Sequence, residues 1–267
     1  IGQPPEHLWR AAVVAVVNVP LGVRRHLDEL VQQRETAAAA GVNLEMIHIP
    51  LAESIPLAVE PQRDQDIDEI CRWIENAGKS GLRGLNYNFS TVGYARTETR
   101  YGRGGSGYSS FEFSKYNNDE PHKGGNVDRD EIFARIGYFL ERVIPVAEEY
   151  KVQMACHLPD PPAEVLRGEE RWNYPVFEGL KRFSELVDSP CHGFNFCCGV
   201  ASEGLQRPGE ELPEIVEYFS SHQKFSMFTF ATFVVDSTIS SRSGLTKATS
   251  ICSPSHASFT ARAIPIC

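Results

Sequence analysis

The most informative stretch of the chain is Val152-Gln153-Met154-Ala155-Cys156-His157-Leu158-Pro159-Asp160-Pro161-Pro162. Its apolar part predicts a β-strand that carries the imidazole of His157 to its C-terminal end, where the prolines stop regular structure. Forty residues later a second strand-like run ends in thiols, and it reads Gly193-Phe194-Asn195-Phe196-Cys197-Cys198-Gly199. Imidazole nitrogen and thiolate sulfur both bind transition metals, so these two successive strand ends predict a metal site.

Strand-like and helix-like stretches alternate on both sides of this pair. The predicted strands cover residues 11–19, 44–50, 82–89, 152–157 and 192–197. Helical patterns cover 25–40, 64–77, 174–187 and 212–219, and a further helix begins at Asp128. Repeated βα units predict a parallel sheet. Because candidate chemistry lies at several different strand ends, the pattern favours an α/β fold of the (β/α)8 TIM-barrel type over an open sheet.

The barrel is expected to cover residues 1–225 and to be incomplete at the C-terminus and at the N-terminus. Residues 91–127 interrupt the rhythm with a long βα loop rich in Gly, Tyr, Ser and Asn, which we expect to act as a lid or a subunit contact. Residues 226–267 contain 15 Ser or Thr and only 4 charged side chains. We therefore expect this last segment to be an aberrant tail that is disordered or non-native.

Composition excludes several classes of partner. The net charge of -9 disfavours nucleic acid and anionic membranes as partners. No apolar run reaches the roughly 20 residues that a bilayer span needs, and no export signal opens the chain. The 7 cysteines are odd in number and irregularly spaced, which predicts a reducing, cytoplasmic environment and not a disulfide framework.

Polar side chains near the other strand ends suggest a site for a small sugar acid. Asn88 ends a strand and could bind a polyol, and His48 closes another strand and could face the same pocket. Arg96 and Arg103 lie in the long loop, where either could clamp a carboxylate. Asp160 could orient the ring of His157. For each of these residues a purely structural role, or a solvated surface position, remains open.

Several motifs together resemble the D-mannonate dehydratase family. The resemblance covers roughly residues 20–225, and its motifs are Asn86–Phe89, Arg96–Glu98, Arg103–Gly105, Tyr138–Tyr150, Cys156–His157 with Asp160-Pro161, and Phe194–Cys197. It implies a xylose-isomerase-like TIM barrel that uses Mn2+ or Fe2+ to dehydrate D-mannonate to 2-keto-3-deoxy-D-gluconate in hexuronate breakdown. By this resemblance, His157 and Cys197 correspond to two of the family's four metal ligands.

The chain departs from the family pattern after Phe225. The family takes a third ligand from a strand that reads Asn-Val-His-Phe-Arg-Asn and a fourth from a later Pro-Asp-His turn, and neither motif is present. The residues Ser226–Thr238 can be encoded so that a shifted frame reads Asn-Val-His-Phe-Arg-Asn-Ile-Arg-Gly-Gly-Leu-His. We therefore hypothesise a frameshift close to Phe225–Ser226. No catalytic residue is assigned, and activity of this chain is expected to be impaired.

Three interpretations follow from the sequence. The first is a lyase of the mannonate dehydratase family, with a sugar acid as its small-molecule partner. The second is a related sugar isomerase or epimerase on the same barrel type. The third is a non-catalytic family remnant that survives through contacts in a homo-oligomer. Metal content and a dehydration assay on D-mannonate distinguish the first two.

Overall fold

The computed structural model describes residues 27–229 except 102 and 106. Its centre is a five-stranded parallel sheet in the order β1-β2-β5-β8-β9. These strands are β1 (Met46–His48), β2 (Gly84–Asn88), β5 (Gln153–His157), β8 (His192–Cys197) and β9 (Phe225–Thr229). The sheet forms half of a barrel, which confirms the predicted α/β fold class.

Helices separate the strands and cover the outer face of the sheet. They are α1 (Leu27–Ala39), α2 (Ser54–Leu57), α3 (Gln62–Ser80), α4 (Arg129–Tyr150), α5 (Val176–Ser184), α6 (Cys198–Glu203) and α7 (Pro208–Ser221). Helix α4 begins where the sequence predicts, because the Asp128 carboxylate accepts a hydrogen bond of 2.8 Å from the Glu131 N–H. It ends at Tyr150, and the following residue Lys151 caps it with a left-handed φ of 56°.

Alternation along the strands separates the helix-facing core from the barrel interior. Tyr87, Cys156, Phe194 and Phe196 are fully buried. Tyr87 packs against Phe139 of α4 at 5.5 Å between ring centroids, so this set of side chains faces the helices. The thiol of Cys156 accordingly belongs to the core. The residues between them, including Asn86, Asn88, Asn195 and Cys197, point to the opposite face.

The long segment between β2 and α4 has some regular structure of its own. A hairpin of β3 (Thr99–Tyr101) and β4 (Gly107–Ser109) projects from it, with short 3-10 turns at Arg103–Gly105 and Phe113–Lys115. A second hairpin, β6 (Val165–Leu166) and β7 (Glu169–Glu170), follows β5 and bridges back to Val127. These insertions lie in the chain after the C-terminal ends of β2 and β5, where the candidate site residues are.

Strand β9 continues the sheet across the boundary predicted at residue 225, with Cys197 as the Cα partner of Thr229. The predicted strand at 11–19 lies outside the described residues, and so does the expected tail from residue 230 onward. Among the residues that the structure describes, no helix is long and apolar enough to cross a membrane.

Candidate active site

Three neighbouring strands place polar side chains at one end of the sheet. Asn88 at the end of β2 is the Cα partner of His157 at the end of β5. His157 is in turn the partner of Asn195 on β8, two residues before Cys197 on the same face. Because parallel strands bring their carboxyl ends to one edge, Asn88, His157 and Cys197 all lie at this edge, and we call them the first layer.

The ring of His157 is oriented by its own backbone. Its Nδ1 lies 2.8 Å from the Leu158 carbonyl, which can only accept, so Nδ1 carries the proton. The Nε2 lone pair is then free to bind a cation, as in metal sites where a carbonyl fixes the tautomer. Burial lowers the pKa of His157, which favours the neutral, metal-binding form.

Cys197 lies where β8 passes directly into α6. Burial raises the pKa of its thiol, while hydrogen bonds from the backbone N–H groups of Val200 and Gly199 act in the opposite direction by stabilising the thiolate. A cation bound at the sulfur would add to that stabilisation. Cys198 is the first residue of α6, so Cys197 is the thiol at the strand end.

A second layer of polar side chains supports the first. Asn195 Nδ2 donates to Asn86 Oδ1 at 3.2 Å, and Asn86 Nδ2 lies 3.1 Å from His48 Nδ1. Since the amide nitrogen can only donate, His48 Nδ1 is the acceptor and carries no proton, so the ring is the neutral imidazole. Burial, followed by the nearby His157, lowers the pKa of His48 in agreement with this state. The structure therefore gives His48 a hydrogen-bonded place beside the site.

Tyr94 covers the first layer, and the sequence analysis missed it. Its hydroxyl donates to Asn88 Oδ1 at 3.0 Å and lies 3.5 Å from His157 Nδ1. Tyr94 as a whole is 53% exposed. Burial, with the charge of Asp160 in second place, raises the pKa of Tyr94 to about 12, so it remains a donor at neutral pH. Its position two residues before Arg96, in the family-like segment, was the available signal.

Arg96 and Asp160 form a bidentate ion pair over this edge. Arg96 Nη2 and Nη1 donate to the two carboxylate oxygens of Asp160 at 2.7 and 3.2 Å. Arg96 remains 39% exposed, so a soluble anion can reach the guanidinium. Asp160 thus contacts Arg96, and no hydrogen bond to the His157 ring is seen among the described contacts. The backbone of Arg103 lies in a 3-10 turn, and its role in substrate binding stays a prediction.

Glu203 at the end of α6 is a second residue that the sequence analysis missed. Burial, followed by the negative charge of Asp160, raises its pKa to about 8, and Arg96 partly offsets this effect. The side chain can therefore hold and release a proton near neutral pH. Helix α6 has only 6 residues and is too short to show an amphipathic period, so sequence patterns did not point to it.

The described residues bring two candidate transition-metal ligands, His157 and Cys197, to one edge of the sheet. No group of three or more His, Cys, Asp or Glu side chains that could hold a metal occurs among residues 27–229, omitting 102 and 106. The pair His157 and Cys197 nevertheless fits such an ion, because one offers a neutral nitrogen with a fixed tautomer and the other a thiol with two backbone donors.

Comparison with known proteins identifies the family. The D-mannonate dehydratase (UxuA) family model matches residues 9–125 and 120–239. The chain belongs to the D-mannonate dehydratase family. It is 30% identical over 247 residues to the mannonate dehydratase of Thermotoga petrophila, and 30% identical over 233 residues to that of Shouchella clausii. These alignments cover 78% and 75% of this chain, and 65% and 63% of the relatives.

A solved member of the D-mannonate dehydratase family has the same fold. The mannonate dehydratase of Streptococcus suis serotype2 superposes with a TM-score of 0.70 at 25% identity, over 83% of this chain and 68% of that one. The 3-keto-D-glucoside 4-epimerase of E. coli superposes with a TM-score of 0.50 at 9% identity, which shows the fold alone. The chain thus spans slightly less than two thirds of the length of the curated dehydratases that it matches.

Proposed function

We propose that this chain is a metal-dependent carbon–oxygen lyase that dehydrates D-mannonate to 2-keto-3-deoxy-D-gluconate in hexuronate catabolism, with activity impaired because the two ligand motifs expected after Phe225 are missing. The observation that supports this most is the pair His157 and Cys197 at neighbouring strand ends, at the positions of two ligands in the family pattern. The proposal includes Mn2+ or Fe2+ as the ion and the cytoplasm as the location.

The donor set suits an ion that accepts both nitrogen and sulfur. His157 would hold it through Nε2 and Cys197 through its thiolate. When bound, the ion would supply Lewis acidity at the substrate's carboxylate and hydroxyl oxygens, which acidifies the adjacent C–H bond. The protein side chains would orient the substrate and exclude water around that bond.

Arg96 is the proposed carboxylate clamp, and the ion pair with Asp160 explains how it is held ready. A substrate carboxylate would exchange with the Asp160 carboxylate at the guanidinium, leaving the planar pair geometry unchanged. Asn88 and His48, near the ends of β2 and β1, would form hydrogen bonds with hydroxyl groups of the sugar acid. Arg103 would approach the substrate from the long loop. Asp160 would then be free to contact the sugar.

The test is a dehydration assay on the full chain. Purified protein is loaded with Mn2+ or Fe2+, and formation of the 2-keto-3-deoxy acid from D-mannonate is followed by its chemical derivative and by NMR. We expect slow product formation that a chelator abolishes and added metal restores. A product with the same mass as the substrate would instead indicate an isomerase or epimerase, and no product with metal bound would contradict the proposal.

The clamp has its own matched test. Arg96→Lys keeps the charge but loses bidentate geometry, so KM for D-mannonate should rise by about 10- to 100-fold, the effect of a charge-assisted hydrogen bond. Arg182→Lys, in an exposed pair with Asp130, is the control and should leave KM unchanged. An unaltered KM in Arg96→Lys would assign the carboxylate to another side chain. The predicted homo-oligomer can be tested on the same preparations by sedimentation.

A further inference from the structure

Hairpin β6–β7 leads into an ion pair that is separate from the candidate ligands. Glu169 and Arg171 have fully buried side chains, and Arg171 Nη1 lies 2.8 Å from Glu169 Oε1. Removing two charges from water is costly, and buried pairs can often be replaced by apolar side chains without loss of stability. Stability alone is therefore a weak reason for this pair, and its remaining contacts suggest a different role.

The remaining contacts of the pair go to two loops. Glu169 Oε2 accepts from both the backbone N–H and the hydroxyl of Thr91, each at 2.5 Å. Arg171 donates to Ser90 Oγ at 2.7 Å and to the Gly93 carbonyl at 3.5 Å. Its Nε donates to the Pro161 carbonyl at 3.3 Å. The pair thus joins the loop after β2 to the loop after β5.

These are the loops that bring the proposed substrate-binding groups together. Tyr94 directly follows Gly93, and Asp160 directly precedes Pro161. The residues after Arg171 make parallel contacts, since Trp172 Nε1 donates to the Phe89 carbonyl and Asn173 Nδ2 to the Pro159 carbonyl, both at 3.0 Å. Segment 169–173 therefore holds the ends of both loops at fixed positions relative to each other.

We propose that Glu169 and Arg171 are positioning residues for recognition of the sugar acid's carboxylate. They hold the loop 90–96 so that Arg96 meets Asp160 and the Tyr94 hydroxyl reaches Asn88. This inference rests on the proposed function for its substrate. The positioning of the loop itself does not depend on which substrate binds.

The decisive variant replaces both charges at once. Glu169→Leu/Arg171→Met fills the space of the pair with apolar side chains, so no unpaired charge is left buried. We expect it to fold and to retain metal, while KM for D-mannonate rises by about 10- to 100-fold, as for loss of the Arg96 contact itself. Glu170→Leu is the control, because the Glu170 carboxylate contacts the Arg129 N–H and not these loops.

A coupling measurement separates positioning from a general structural role. In the double variant, adding Arg96→Lys should change KM by less than about 2-fold, because the misplaced guanidinium no longer contributes. If the fold-increases in KM of the double variant and of Arg96→Lys multiply when the substitutions are combined, the two sites are independent and the proposal is overturned. If the double variant fails to fold, Thr91→Val replaces it, because valine removes the hydroxyl that donates to Glu169, and Thr91→Ser is its control because serine keeps that hydroxyl. We expect KM for D-mannonate to rise in Thr91→Val and not in Thr91→Ser. Equal KM values in the two variants would overturn the proposal.

Hydrogen exchange gives a readout that needs no catalysis. In Glu169→Leu/Arg171→Met, and in Thr91→Val if that variant is used, amides at 90–97 should exchange at least about 10-fold faster, because few contacts would then hold this loop closed. Amides of β2 and β5 should keep their rates. Unchanged exchange at 90–97 would overturn the proposal. If exchange accelerates as expected but even the unaltered chain does not dehydrate D-mannonate, the proposed function fails and the positioning of the loop stands.

Discussion

At the scale of single residues, His157 and Cys197 make the most direct prediction about metal. Cys197→Ser should weaken binding of the metal by at least about 100-fold, since loss of even a ligand's hydrogen-bond partner costs 10- to 100-fold. Titration with Co2+ measures this, because a thiolate ligand gives a near-ultraviolet charge-transfer band. Cys71→Ser is the control, as its half-buried thiol lies on α3. A full band in Cys197→Ser would exclude this sulfur as the ligand.

Glu203 makes a prediction about pH. Its pKa is raised to about 8 in the folded chain from an ordinary value of 4.5, so the folded state binds more protons than the unfolded state between these values. Stability should therefore fall as pH rises through this window. Glu203→Gln cannot ionise, and it should gain stability relative to the unaltered chain from pH 5 to pH 8. Urea unfolding in the presence of a chelator measures the free energy of unfolding of both proteins at each pH. If the two curves of stability against pH run parallel, the pKa of Glu203 is not raised.

At the scale of elements, two helical glycines should respond in opposite ways to the same substitution. A Cβ on Gly78 of α3 would lie 2.6 Å from the Tyr150 carbonyl oxygen, so Gly78→Ala should push α3 from α4 and destabilise the fold by about 1–3 kcal/mol. A Cβ on Gly137 of α4 would meet nothing within 4 Å. Gly137→Ala should stabilise by about 0.5–1 kcal/mol, because alanine favours helix. Urea unfolding of both variants measures the difference, and equal effects would contradict the close packing of α3 on α4.

Individual strands could be predicted from the sequence, whereas contacts between distant segments could not. The strands at 152–157 and 192–197 match β5 and β8 to within a residue, because a short apolar run with a proline close to one end has few alternatives. Alternation along β5 places Cys156 in the core, whereas Cys197 was identified by the family resemblance and not by alternation. The contacts of Glu169 with Thr91 span 78 residues, and no local pattern predicts which buried carboxylate meets which loop.

At the scale of the whole molecule, the region around β9 bears on the frameshift hypothesis. The family model matches as far as residue 239, past the boundary predicted at residue 225. In the shifted frame, histidine is read from the last base of codon 228 and the first two bases of codon 229. Thr229 is the Cα partner of Cys197, so this histidine would be placed beside the thiol. The third family ligand would then stand next to the second.

We predict that the gene carries a frame disruption close to codons 225–226. Nucleotide sequencing across codons 220–267 measures this directly. Codons that cannot be read as Asn-Val-His-Phe-Arg-Asn in any frame would end the hypothesis. If the shifted reading is present, a restored-frame protein should bind Mn2+ at least about 100-fold more tightly than the present chain, because a nitrogen ligand joins His157 and Cys197. His157→Ala in the restored protein is the control, and it should lose most of that gain because all of these ligands bind one ion.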